Sequence, residues 1–135
     1  MNKEQQMVHD WHVAMGVPDT NRKTFGFPNK DTCKLRVDLI QEELNELKSA
    51  IEEKDFCELA DALGDLLFVV YGAACAFGLD LEPVFAEVHK SNMSKVPLPG
   101  ELPEYNSAGK LMKPKHFVKP DILTVITKLM EKEND

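Results

Sequence analysis

Residues 55–77, DFCELADALGDLLFVVYGAACAF, decide the fold. From Leu66 to Phe77 the stretch carries no charge. Upstream, Glu58, Asp61 and Asp65 stand at i, i+3 and i+7, within roughly 60° of one another on a helix. A helix apolar on every side belongs in a core. Carboxylates leading into such a helix are costly unless something cationic meets them. The 12-residue apolar run is shorter than the ~20 residues a membrane span needs, so no membrane partner is expected.

Immediately before this stretch, residues 31–53 read as a second helix, with Asp31 or Thr32 as its cap. With Leu35 at 0° and about 100° per residue, Leu39, Ile40, Leu44, Leu47, Ala50 and Ile51 fill an arc from roughly 40° to 180°. Lys34, Asp38, Gln41, Asn45, Lys48, Ser49 and Glu52 form a solvated face opposite. Glu42, Glu43 and Glu46 stay off that face. They sit at the edge of the apolar arc, and Glu43 lies well inside it. Only Glu53-Lys54-Asp55 joins the two helices, so they pack antiparallel and bring the two acidic sets together. Asp55 and Glu58 have the spacing of a capping box, which offers Glu58 a structural role as well.

The chain has 135 residues, 43% hydrophobic and 29% charged, with a formal charge of −7. That size suits one domain with a substantial core. The six carboxylates named above account for nearly all of the negative excess, so the acidity is local. The balance argues against a nucleic-acid polymer or an anionic membrane as partner. Cys33, Cys57 and Cys75 are scattered and without a C-x-x-C, which suits three reduced core thiols in a cytoplasmic protein. The opening MNKEQQMVHDW shows no signal-peptide pattern.

Residues 3–15 read as a first helix with Met7, Trp11, Ala14 and Met15 on its apolar side, and His9 and His12 at the surface. VPDTNRKTFGFPNK is a basic loop carrying Arg22, Lys23 and Lys30. Past Gly78, Asp80 caps a helix with Leu81, Val84, Phe85 and Val88 as its stripe, and Asn92 falls inside that stripe. Residues 97–119 are rich in Pro, Gly and Lys, either a basic lid or a surface arm. Pro120-Asp121 opens an amphipathic helix over residues 120–132, ahead of a frayed tail. The whole is expected to be one all-α domain with its core at residues 31–96. A single hairpin cannot cover the apolar helix, so an antiparallel bundle completed by homo-oligomerisation follows.

The acids converge as Glu42-Glu43-x-x-Glu46 and Glu58-x-x-Asp61-x-x-x-Asp65. Carboxylate oxygens in that number suit Mg²⁺ or Mn²⁺, and ions so held pair with substrate phosphates. No His follows a Glu at the spacing a ferritin-like di-metal bundle uses. All six carboxylates are candidate metal ligands. Glu43 and Glu46 are also candidate catalytic residues, taking a proton from an attacking water. Asn92, Lys95 and Lys110 are candidate donors to substrate phosphate or sugar.

E-E-x-x-E followed by E-x-x-D on paired helices resembles the all-α nucleotide pyrophosphatases, including MazG-type enzymes, dimeric dUTPases and phosphoribosyl-ATP pyrophosphatases. ELADALGDLLFVVYGAACAFGLDLEPVFAEVHKSNMSK is similar to a phosphoribosyl-ATP pyrophosphatase-like branch. The resemblance implies Mg²⁺-dependent hydrolysis of a nucleoside triphosphate to monophosphate and pyrophosphate by a homodimer or homotetramer. MazG proper has a Glu three residues before the Asp that aligns with Asp65, and here that position is Ala62. The second metal motif is therefore either Glu58/Asp61 or a set ending at Asp65. The alternative function is a non-catalytic helical module that binds a nucleotide or a partner.

Overall fold

A computed structural model describes residues 1–18 and 24–134, with side chains described to residue 132. Its described elements are five helices: α1 (Lys3–Met15), α2 (Lys30–Glu52), α3 (Phe56–Phe77), α4 (Leu81–Met93) and α5 (Ile122–Asn134). The class is all-α, as expected. Arg22 and Lys23 of the basic loop lie outside the described residues. The chain divides into two compact units, Met1–Leu81 and Glu82–Asp135.

In the first unit α2 and α3 form the antiparallel hairpin. Asn29, rather than Asp31 or Thr32, caps α2, its side chain accepting from Thr32 N at 2.8 Å. Lys54 takes the left-handed conformation (φ 54°), and Asp55 N donates to Ala50 O at 3.0 Å. Asp55 then caps α3 through Glu58 N at 3.1 Å. Because the Asp55 amide is already committed to Ala50, only that half of the capping box forms. Ala50 and Ala62 are buried, and their small side chains let the two helices approach closely. Gly78 ends α3 at φ 68°, where an added Cβ would meet Thr24 O at 3.0 Å. Only glycine enters that turn without strain.

α1 docks on α3 with a different face from the expected one. Met7, Trp11 and Met15 are exposed, whereas Gln5, Val8 and His12 are buried. The reason is hydrogen bonding. Gln5 Nε2 donates to Leu79 O at 2.8 Å, and Gln5 Oε1 accepts from Leu81 N at 3.0 Å. One side chain thus satisfies two backbone groups that the α3–α4 turn would otherwise leave unpaired. His12, expected at the surface, is 3% exposed.

Of α3 itself, only 28% of the most apolar window is buried within the chain. Gly72, Ala74, Cys75 and Ala76 are covered, while Leu63, Leu67, Phe68 and Val70 stay exposed. By length and composition this helix would suffice to cross a bilayer, a test that helices in the cores of soluble proteins also pass. Only Cys75 of the three free thiols is a core thiol; Cys33 is half-buried and Cys57 exposed.

The second unit ties an irregular arm to the end of α4. Ser91 Oγ donates to Val118 O at 2.7 Å, and Val118 N donates to Ser94 Oγ at 2.8 Å. His116 Nε2 lies 2.9 Å from Val96 O. Within the arm, Asn106 Oδ1 accepts from Ala108 N and Lys110 N, and Gly109 sits at φ 80°. A bridge between Tyr105 and Leu111 closes this turn. Residues 97–119 are therefore locally folded. Asp121, with Thr124 N donating to it at 3.1 Å, starts α5.

Candidate metal centre on the helical hairpin

Because α2 and α3 run antiparallel, one register governs every level of the hairpin. The Arg36 guanidinium reaches the place where a Gly72 side chain would begin. Seven residues on in α2 is Glu43, and seven back in α3 is Asp65. Seven residues are close to two helical turns, about 10 Å of rise. The same faces are therefore presented again, and Glu43 meets Asp65.

One carboxylate oxygen from each of Glu43, Glu46 and Asp65 lies within 4.8 Å of the others. Glu43 and Asp65 are half-buried and Glu46 is exposed. Burial raises the Glu43 carboxyl to about 7, helped by a hydrogen bond with Glu46 and by the charges of Glu46, Asp65 and Glu42. Asp65 is also raised, first by burial and then by Asp61 and Glu46. Glu43 Oε2 is sealed from solvent without a hydrogen-bond partner. No ion pair to these three acids is present among the described residues. A group of oxygen donors with an enclosed, unpartnered oxygen and no cation is chemically suited to a hard divalent ion.

The other sequence candidates fall as follows. Glu42 and Asp61 are exposed neighbours that act on the cluster through charge. Glu58 lies in the first turn of α3, exposed, seven residues before Asp65 and level with the hairpin end. It is not among the three clustered acids. Of the α3 stripe, Asp65 is the member whose carboxylate lies with Glu43 and Glu46. Ala62, three residues before Asp65, is 2% exposed.

Asn92, Lys95 and Lys110 belong to the second unit. Asn92 is exposed rather than inside the α4 stripe; Ser91 is the buried residue of that turn, because it bonds the arm. Lys95 Nζ lies 5.5 Å over the Phe117 ring, with Lys113 at 5.2 Å. Lys95, Lys113, Lys115 and His116 also line a 430 Å³ cleft formed by the arm, with Glu101 and Glu104 opposite in charge. Lys110 is exposed at the tip of the turn.

Two residues of the first unit went unread in the sequence. Arg36 falls near 100° on the α2 wheel, in the middle of the apolar arc. A charge inside an apolar arc was the signal that singled out Glu43, and it applied equally to Arg36. Gln5 gave no such signal, since a neutral amide on a helix is ordinary.

An all-helical chain with its acids gathered on a helical hairpin is the architecture of the all-α MazG-like nucleotide pyrophosphatases. The sequence profile of the phosphoribosyl-ATP pyrophosphohydrolase family matches residues 8–92, and the chain belongs to that family. An uncharacterized protein of Acanthamoeba polyphaga mimivirus is 39% identical over 90 residues, 58% of this chain. The chain spans 34% of that relative's length.

Proposed function

We propose that the protein is a Mg²⁺-dependent nucleoside triphosphate pyrophosphohydrolase of the cytoplasm, releasing monophosphate and pyrophosphate. The observation that carries this reading is the unpartnered Glu43 oxygen within the Glu43–Glu46–Asp65 group. Mg²⁺ or Mn²⁺ held by these three acids would supply neutralising charge and a more acidic water. Glu43 is the candidate to accept a proton from the attacking water. In the metal-free protein Glu43 and Glu46 share a hydrogen bond. Asp61 and Glu42 add negative potential that favours a cation, and Glu58 is a candidate for a more distant carboxylate. Lys95, Lys110 and Asn92 are candidate donors for substrate phosphate or sugar.

Chromatography of the products formed from a panel of nucleoside triphosphates in Mg²⁺ tests the reaction. Monophosphate plus pyrophosphate, lost on chelation, is the expected result; diphosphate plus orthophosphate overturns it. Ala62, where the resemblance to MazG proper leads to a Glu, favours one second reading, a nucleotide-binding module without turnover. Binding of triphosphate with no product under any metal would establish that instead.

The proposed assembly is a homodimer or homotetramer, without nucleic acid or membrane. The support is the exposed apolar flank of α3, with Leu63 at 45%, Leu67 at 59% and Phe68 at 38% exposure. Sedimentation at micromolar concentration is expected to give a dimer or tetramer. A stable monomer would overturn this assembly.

A further inference from the structure

Two helical turns below the carboxylates, the hairpin holds a charge that no described residue balances. Arg36 is 7% exposed, and its Nε is enclosed with no hydrogen-bond partner. Among the described residues no carboxylate pairs with it. Its titratable neighbours are the Cys75 thiol, from α3, and the buried ring of His12, from α1, both held neutral by burial. The acids around Glu43 do not reach it; the groups that act on Glu43 are other carboxylates alone. A guanidinium keeps its proton even when buried, and it offers donors only. An uncompensated buried cation is among the costliest arrangements in a protein interior.

The local backbone is shaped to bring donors together there. A Cβ on Gly72 would lie 3.2 Å from Arg36 Nη1 and 3.3 Å from His12 Nε2. Glycine at this position lets a guanidinium and an imidazole converge over α3. His12 is held below its ordinary pKa by burial, then by Arg36 and His9, so its neutral ring can donate one hydrogen bond without adding a second charge. Trp11 stacks at a tilt on His12 and meets Phe68 edge-on.

We propose that Arg36, with His12 beside it, is an oxyanion-receiving site that takes a phosphoryl group, separate from the carboxylate cluster and two helical turns from it. Guanidinium geometry matches two oxygens of one phosphoryl group. The occupant is either free inorganic phosphate or pyrophosphate, or a phosphoryl group of a bound nucleotide. Only the second source rests on the nucleotide reading above.

Thermal melting in chelator, at ionic strength held constant with chloride, tests this apart from catalysis. The probes are inorganic phosphate, pyrophosphate, a nucleoside triphosphate and the corresponding nucleoside. The proteins are the parent, Glu43→Gln and Arg36→Met. A probe at tenfold its dissociation constant should raise the parent's melting temperature by about 5 °C. Glu43→Gln should keep that response, because the carboxylates are not part of this site. Arg36→Met should lose it, and should melt at or above the parent when no anion is present. Response to phosphate or pyrophosphate assigns a free anion; response to triphosphate but not nucleoside or free phosphates assigns a bound nucleotide's phosphoryl group. A parent unmoved by all three anions, or Arg36→Met moving as far as the parent, overturns the site. Should Arg36→Met not fold, the Arg36 Nε–H resonance decides in the parent. A saturable shift with any of the three anions supports the proposal, and an unmoved resonance overturns it.

Discussion

Glu43→Gln is expected to cut pyrophosphate release by about 10²–10⁴-fold, the range for losing a positioned acid–base group. The metal-free variant should nevertheless melt at or above the parent. Two unit charges about 5 Å apart repel by roughly 3 kcal/mol at an effective dielectric near 20, and partial protonation lowers the realised cost. The sign follows from the raised Glu43 carboxyl. Its ordinary value is 4.5 and its folded value about 7. The folded state therefore binds the proton more tightly. Relative to the unfolded chain, stability from this group is fully present below about pH 4.5 and is lost as pH rises toward and through 7. Metal-free parent should lose melting temperature across that window, and Glu43→Gln should show a flatter profile. Because Glu43, Glu46 and Asp65 interact, the titration belongs to the group rather than to one residue. Added Mg²⁺ should stabilise the parent and the variant much less. A variant that melts lower, with Mg²⁺ shifting neither protein, would make Glu43 a structural residue.

Gln5→Met is expected to produce the largest loss of stability, about 2–4 kcal/mol in urea unfolding. Methionine preserves the length and apolar stem of the side chain, so packing changes little. It leaves Leu79 O and Leu81 N without the partners that Gln5 provides. Each unsatisfied buried backbone group costs about 1–3 kcal/mol. Gln5→Glu discriminates further, since it keeps the acceptor for Leu81 N but loses the donor to Leu79 O. A Gln5→Met protein as stable as the parent would mean that water replaces both bonds.

The hairpin was legible because two local signals agreed. A three-residue link allows only antiparallel packing, and Glu43 broke a helical pattern that was otherwise clean. Asp65 was legible as a member of a stripe but not as the member that meets Glu43. Stripe membership follows from 100° per residue, whereas partner choice depends on how the Lys54 turn sets the sliding of one helix along the other. The orientation of α1 was misread for a related reason. Apolar periodicity points to Met7 and Trp11, but the docking face is chosen by the backbone groups that only Gln5 can satisfy.

Sequence alone determined the helical class, the hairpin, the local concentration of acid and the family resemblance. Each depends on periodicity, on chain connectivity or on residue chemistry, all of which are written in the order of the residues. Tertiary structure decided which acids converge, that Asn92 faces outward, that Gln5 and His12 face inward, and that Arg36 is enclosed without a counter-ion among the described residues. Those outcomes depend on helix register and on the hydrogen-bonding needs of distant backbone. A one-residue change in register turns a helical face by about 100°, and no local pattern specifies it.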